Sequence, residues 1–214
     1  MKQRIPAIIQ GVLIAVVVLS GAIALPVLFR PFFYWHIQPL CLPELVELTV
    51  PEIKTAYREV MDYCVGLSDT FSAGSLPFSK SGAAHFADVR KLFLLDLWAL
   101  AVSAILLVVL KRICSGKRGC LLGHTPGFWS AVGLGAGISV VGALAALDFN
   151  KAFLAFHRLF FPGKDNWFFD GRQDPVIYML PKVFFRNCAI LIFATIMLSC
   201  IGLLLWDWHV RHKK

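Results

Sequence analysis

The amino-acid sequence predicts a mainly α-helical membrane protein with four transmembrane helices. Hydrophobic residues make up 58% of the 214-residue chain, charged residues make up 16%, and the mean hydropathy is +0.71, which is too apolar for a soluble domain. Four apolar segments are long enough to cross a bilayer, namely residues 7–29, 92–110, 128–147 and 184–206. We interpret residues 1–214 as one membrane domain, with a cap formed by residues 30–91 and 148–183.

The distribution of positive charge predicts how the spans are oriented. Nine of the 21 basic residues lie in the N-terminus, in the loop between the second and third spans, and in the C-terminal tail, where Asp207 is the single acidic residue. The remaining acidic and basic residues balance. The positive-inside rule therefore places both termini in the cytoplasm and the cap on the external face of a multi-pass protein. A basic nucleic-acid-binding protein is disfavoured because the charges cluster at the ends of spans. We expect the first span to be retained, because it lacks a clear signal-peptide cleavage site.

The cap is predicted to contain short helices. Residues 49–52, Thr-Val-Pro-Glu, have the form of a capping box and begin an amphipathic helix that Gly66 can end. The turn-rich residues 67–78 can contribute strands to a small β-sheet. Ser79 or Ser81 can cap the next helix, which runs directly into the second span. In the third span, Gly133 and Gly137 are four residues apart and permit close packing of another helix.

Two external histidines are the candidate reactive groups. His85 precedes the second span and His157 follows the third, and both lie among aromatic residues. An antiparallel bundle can bring them together, although a buried histidine is often only a hydrogen-bonding residue. Asp88 lies on the same helix face as His85, and it can equally be an ion-pair partner of a neighbouring base. The aromatic residues form either an interfacial belt or the wall of an acyl-chain pocket.

The cysteines and the absence of common catalytic motifs narrow the chemistry. The six cysteines form no metal-binding pattern, and no cofactor is expected; Cys41 and Cys64 are the two external ones, where a disulfide is possible but not required. The sequence contains no G-x-S-x-G, H-E-x-x-H, C-x-x-C or phosphate-loop motif. These absences argue against serine hydrolases, zincins and nucleotide-driven pumps.

Two long motifs resemble those of a known family. One is LPFS at residues 76–79 followed by AHFADVRKLF at 84–93, and the other is FHRLFFPG at 156–163, continuing through Trp167, Asp170, Asp174-Pro175 and Pro181. Together they look like the bacterial lipoprotein intramolecular transacylase (Lit) family, over nearly the whole chain. The resemblance implies an enzyme of the bacterial cell membrane that moves the sn-2 acyl chain of a diacylated lipoprotein to the α-amine of its lipid-bearing cysteine. It also implies that His85 and His157 are the catalytic residues.

Several roles stay open at the level of sequence. One histidine is expected to act as a base and the other as an acid or oxyanion stabiliser, and a covalent acyl-imidazole is an alternative. The predicted residues that bind or orient the substrate are Asp88, Asp148, Asn166, Trp167, Asp170 and Tyr178. Two other functions compete with the transacylase: a metal-dependent membrane hydrolase that uses both histidines and a carboxylate, and a transporter or sensory scaffold without chemistry. The transporter is disfavoured because charges are nearly absent from the spans.

Overall fold

The structure is a computed structural model that describes residues 4–113 and 120–213, and these residues are mainly α-helical. The long helices are α1 (Arg4–Leu28), α5 (Lys80–Ile113), α6 (Pro126–Leu147) and α9 (Lys182–His212). The shorter helices are α2 (Pro31–Tyr34), α3 (Leu42–Val46), α4 (Val50–Cys64), α7 (Phe149–Phe160) and α8 (Val176–Met179). Of the predicted cytoplasmic segments, Lys2, Cys114, Lys117, Arg118 and Lys214 lie outside the described residues.

The four long helices confirm the four predicted spans. Each is long and apolar enough to cross a membrane, with a mean hydropathy between 1.9 and 2.7 in its most apolar window. Large apolar side chains on these helices are exposed, for example Leu95, Val108, Leu144 and Leu205. Such a surface is stable against lipid and unstable against water. Of the 34 residues of α5, we treat Leu92–Leu110 as the membrane-spanning part, because about 20 residues are enough to cross the bilayer core.

The chain divides into two compact units. The membrane unit comprises Met1–Ala24, Asp96–Leu147 and Ile190–Lys214, and the cap unit comprises Leu25–Leu95 and Asp148–Ala189. In the membrane unit, Ser130 Oγ of α6 donates a hydrogen bond to the Gly11 carbonyl of α1. A small core of Ala22, Ala131, Ile196 and Cys200 packs in the same unit. The helices of this unit therefore associate through small residues and a hydroxyl bond, as is usual in lipid.

The cap unit has the larger hydrophobic core. Helix α4 buries the apolar face that the sequence predicts, and its Tyr57 ring stacks on Phe33 with 3.8 Å between ring centroids. The capping box is confirmed, since the backbone N–H of Thr49 donates to Glu52 Oε2 at 2.8 Å. Ser79 is confirmed as a cap of α5, because its Oγ accepts from the Gly82 N–H at 2.9 Å. These caps supply partners for N–H groups that a helix start otherwise leaves unpaired.

One expectation about residues 67–78 is corrected. No β-strand forms within residues 4–113 and 120–213, so the suggested small sheet is wrong. The polar groups of residues 67–78 bond to side chains instead: Arg90 donates to the Ser68 carbonyl, and Glu59 accepts from the Gly74 N–H at 2.9 Å.

The structure also corrects a helix contact and decides one alternative that the sequence leaves open. An added Cβ would meet nothing within 4 Å at Gly133 or Gly137, whereas at Gly142 it would lie 2.7 Å from the Phe193 ring. The close helix contact of α6 is therefore at Gly142. Cys41 and Cys64 are both free thiols, so the possible disulfide is not formed.

Candidate active site

The imidazole rings of His85 and His157 lie beside each other within the cap unit. Their centroids are 6.0 Å apart and the ring planes are inclined by 26°. His85 is 5% exposed and His157 is 9% exposed. The structure thus brings together the two histidines that come from separate segments of the sequence. The two rings are therefore close enough to act on the same substrate group.

The orientation of His157 is fixed by its own helix. Its Nδ1 lies 2.8 Å from the Phe153 carbonyl oxygen, one turn earlier in α7. A carbonyl oxygen only accepts hydrogen bonds, so Nδ1 carries the proton and Nε2 keeps its lone pair. Burial lowers the pKa of His157, with the Phe153 hydrogen bond as a smaller opposing effect. His157 is therefore suited to accept a proton near neutral pH.

His85 is held differently. It lies in the second turn of α5, and its Nδ1 is buried with no hydrogen-bond partner among the described residues. An unpaired buried polar atom costs about 1–3 kcal/mol of folding stability. Either nitrogen of His85 can carry the proton, since no carbonyl or carboxylate holds Nδ1. The ring is thus free to serve as either a donor or an acceptor.

Aromatic side chains surround the two imidazoles. Phe161 contacts both rings, with centroid distances of 4.9 Å to His85 and 5.8 Å to His157. Trp167 packs 4.8 Å from His157, and Phe169 packs 5.4 Å from His85. The Trp167 indole N–H donates to the Lys164 carbonyl at 2.8 Å, which fixes the turn after α7. These walls give the site an apolar character that weakens solvation of a charged imidazole.

Asp88 connects the helix of His85 to the turn after α7. Its Oδ2 accepts from Lys164 Nζ at 2.6 Å and from Asn166 Nδ2 at 3.2 Å, and its Oδ1 accepts from Lys91 Nζ at 3.2 Å. Three donors on two oxygens identify an ionised carboxylate. Asp88 itself is 8% exposed. The side chain that follows His85 by three residues therefore ties together the two segments that carry the histidines.

Three of the predicted orienting residues have structural contacts elsewhere. Asp148 accepts from the Lys151 N–H at 3.0 Å as the N-cap of α7, nine residues before His157 and so about 13 Å along the helix. Asp170 accepts from the Arg172 N–H at 3.0 Å within a turn. Tyr178 is 47% exposed, and its hydroxyl packs against Gly171. Asp88, Asn166 and Trp167 are the predicted orienting residues that the structure groups around the histidines.

Sequence reasoning missed Lys164 and the role of Asp174. Lys164 follows a Pro-Gly turn, and its neighbours in the sequence predict only an exposed basic side chain. Asp174 is 3% exposed, and its carboxylate accepts from the Ser79 N–H at 2.7 Å and the Ser79 hydroxyl at 2.8 Å. This pair anchors the start of α5, six residues before His85. Neither contact has a local sequence signal, because the partners are far apart in the chain.

Metal-ligand side chains do not cluster in the part of the chain that the structure describes. No group of three or more His, Cys, Asp or Glu residues is placed to hold one ion. The donor set at the site consists of two imidazoles and a carboxylate that already accepts three hydrogen bonds.

Comparisons with known proteins agree with the motifs. The chain matches the model of the family described as lipoprotein intramolecular transacylase Lit over residues 8–185. It is similar to the in meso structure of the membrane integral lipoprotein intramolecular transacylase Lit from Bacillus cereus, with a TM-score of 0.87 and 26% identity over 99% of this chain and 97% of that one. A structure of the Bacillus cereus protein with an H85A mutation matches with a TM-score of 0.82 and 23% identity, over 99% of this chain and 94% of that one. A comparison with functionally curated proteins returned no match.

Proposed function

The chain belongs to the lipoprotein intramolecular transacylase (Lit) family, and we propose that it moves the sn-2 acyl chain of a diacylglyceryl lipoprotein to the α-amine of the N-terminal cysteine. Membership makes the protein a membrane-integral transacylase of lipoproteins. The identity of the donor ester and of the acceptor amine is the proposed part. The product would be a lyso-form lipoprotein with an N-acyl chain and a free glyceryl hydroxyl.

The neighbouring imidazoles are the observation that supports this chemistry. In the proposed first step, the neutral amine nitrogen attacks the ester carbonyl carbon while His157 Nε2 accepts the proton that the nitrogen loses. The Phe153 hydrogen bond supports His157 as the base, because it leaves the Nε2 lone pair available. His85 is proposed to stabilise the oxyanion by donating a hydrogen bond from its ring N–H, and the proton held by His157 then passes to the departing glyceryl oxygen as the ester C–O bond breaks. Burial keeps His85 neutral, since it lowers the pKa of this imidazole to about 4. Both rings are then neutral, as they were before the reaction.

Intramolecular transfer explains why two imidazoles are sufficient. The ester and the amine belong to one substrate molecule, so the protein mainly has to fold the substrate until the two groups meet. The aromatic walls formed by Phe161, Trp167 and Phe169 favour this fold and exclude water, which would otherwise hydrolyse the ester. Exposed apolar residues of α7, among them Phe156 and Leu159, offer a surface for acyl chains beside the base.

The site is proposed to act at the external face of the cell membrane. His85 precedes the second span and His157 follows the third, so both histidines belong to the segments opposite the basic ones. Under the positive-inside rule both termini are cytoplasmic. Lipoproteins that have crossed the membrane would reach the histidines from this side.

Mass spectrometry of a reporter lipoprotein tests the proposal. Cells that express the protein should convert the diacylglyceryl reporter to the lyso form, and His85→Ala and His157→Ala should each abolish the conversion at unchanged protein level. His36→Ala is the matched control, because His36 also lies in the cap unit and bonds through Nδ1 to a backbone carbonyl, at 2.7 Å. Normal conversion by either active-site variant would remove that histidine from the mechanism.

A further inference from the structure

We infer that Asn166 is the residue that binds the acceptor amine of the substrate, through its side-chain oxygen. The inference rests on the proposed function and adds a recognition element to it. Asn166 Oδ1 is buried without a hydrogen-bond partner among the described residues, and so is His85 Nδ1. Both atoms belong to the same cluster, since Asn166 bonds to Asp88 and Asp88 lies one turn after His85 on α5. Buried polar atoms are normally paired, and neither of these two is taken up by another described group, so both are available to a substrate.

The orientation of the Asn166 amide follows from its neighbour. Asp88 is ionised and has no proton to donate, so Asn166 must turn its NH₂ group toward Asp88 Oδ2, at 3.2 Å. This leaves Oδ1 facing away as an acceptor. Hydrogen-bond chemistry therefore decides which end of the Asn166 amide is nitrogen and which is oxygen. The oxygen is free to accept a hydrogen bond from the substrate. The acceptor amine is the donor that the reaction brings to the site.

The charges of the cluster favour the neutral form of the amine. Asp88 already accepts from Lys164, Asn166 and Lys91, so its negative charge is balanced by groups of the protein. A carboxylate without these partners would instead hold the substrate as an ammonium ion, which has no lone pair for attack. Asn166 Oδ1 is uncharged, so it can accept from a neutral amine without the strong preference for the ammonium form that an unpaired carboxylate has.

Two acceptors would set the direction of attack. A neutral amine has two N–H bonds and one lone pair. If Asn166 Oδ1 accepts from one N–H and His157 Nε2 accepts from the other, the lone pair points away from both and toward the ester carbonyl. Asn166 lies on the segment between the two histidines, since its amide bonds to Asp88 on the helix of His85 and the ring of the next residue, Trp167, packs on His157. Asp88 is then a positioning residue, which acts through Asn166.

The test removes the amine from the substrate and the oxygen from the enzyme. The probes are two lipopeptides in which an ether replaces the transferable sn-2 ester, one with the α-amine and one with hydrogen in its place, used as competitive inhibitors above pH 8. The wild-type enzyme should bind the amine form at least about tenfold more tightly. Asn166→Leu, which keeps the volume and removes the acceptor, should bind both forms equally. Each ratio is measured within a single variant, so a partial loss of folded protein cancels.

Asp88→Asn gives a second, indirect variant. This substitution lets the Asn166 amide rotate by half a turn, so we expect the preference for the amine probe to fall as it does in Asn166→Leu. Lys91→Met keeps the Asp88–Asn166 hydrogen bond and should retain the preference for the amine probe. Equal binding of the two probes by wild type, or a preference that persists in Asn166→Leu, would overturn the inference. Wild-type enzyme that converts the normal ester substrate in these assays would leave the proposed function standing, and a failure of that conversion would reject the proposed function itself.

Discussion

Lys164 Nζ lies 2.6 Å from Asp88 Oδ2, and this ion pair joins the turn after α7 to the helix that carries His85. Lys91 Nζ contacts the other oxygen of the same carboxylate at 3.2 Å. The lysines differ in exposure, since the Lys164 side chain is 45% exposed and that of Lys91 is 76% exposed. The more exposed pair lies within one helix, and pairs of that kind contribute little.

We therefore predict that Lys164→Met slows acyl transfer and that Lys91→Met does not. Loss of the Lys164 ion pair should weaken the interaction between the turn after α7 and α5 by about 1 kcal/mol. The position of His157 relative to His85 should then be less well fixed. We expect kcat to fall about tenfold in Lys164→Met with a smaller change in KM. Lys164→Arg should recover most of the rate, because it restores a cation at the same place. Equal rates in the two methionine variants would contradict this role.

The pH dependence of transfer should carry the signature of a buried histidine. A substrate α-amine has an ordinary pKa of about 7.7–8.0, so its neutral fraction alone should give log kcat/KM a slope of one as pH falls below that range. Because burial lowers the pKa of His157, we expect the slope to steepen to two only well below pH 6.5. A slope of two that begins near 6.5 would indicate an imidazole with an ordinary pKa.

The same shift has a consequence for stability. The unfolded chain binds a proton on His157 more readily than the folded chain does. The contribution of neutral His157 to the free energy of unfolding is therefore fully present above about pH 6.5, the ordinary pKa of histidine. It should decrease as the pH falls below that value. Thermal unfolding in detergent at pH 7.5 and pH 5 measures this change, and the decrease should be smaller in His157→Gln.

Asp174→Ala should destabilise the start of α5. The variant removes two hydrogen bonds from Ser79 to a buried carboxylate, and we expect this loss to lower the free energy of unfolding by about 3 kcal/mol. Asp170→Ala is the matched control, because that carboxylate is exposed and bonds only within its own turn. Thermal unfolding in detergent should show a clearly lower midpoint for Asp174→Ala and a nearly unchanged one for Asp170→Ala. Similar midpoints would show that the Ser79–Asp174 contact does not stabilise the helix start.

Two natural cysteines can test the orientation in the membrane. Cys41 and Cys120 are both free and exposed thiols, Cys41 in a predicted external segment and Cys120 in the predicted cytoplasmic loop. In variants that keep one of them as the single cysteine, a membrane-impermeant maleimide should label Cys41 in intact cells and Cys120 only after permeabilisation. The reverse pattern would invert the proposed topology.

Local patterns in the sequence were sufficient for most of the fold. The spans follow from apolar length, and α4 follows from the capping box at Thr49 and Glu52. Residues 67–78 were misjudged because turn-forming residues do not reveal whether the backbone will pair with another strand or with side chains such as Glu59 and Arg90.

The candidate site was only partly predictable. His85 and His157 were identified through motifs and their aromatic surroundings. The contacts between Ser79 and Asp174 and between Asn166 and Asp88 span 95 and 78 residues of chain. Their existence depends on how the helices pack, which no local pattern encodes. In the sequence, Tyr178, Asp170 and Asn166 are all polar residues near aromatic ones. Only the folded structure shows that Asn166 lies near the histidines and that the other two have contacts elsewhere.

The Phe153 carbonyl takes the place that an aspartate occupies in many histidine-dependent enzymes. A peptide oxygen does not titrate, so the alignment of His157 is insensitive to acid as long as the last turns of α7 are intact. The hydrogen bond does not depend on which side chain stands at position 153, since every residue that keeps the helix supplies the same oxygen, although the Phe153 ring itself packs 4.3 Å from the imidazole. The hydrogen bond that orients this base is thereby supplied by secondary structure and not by a second titratable side chain.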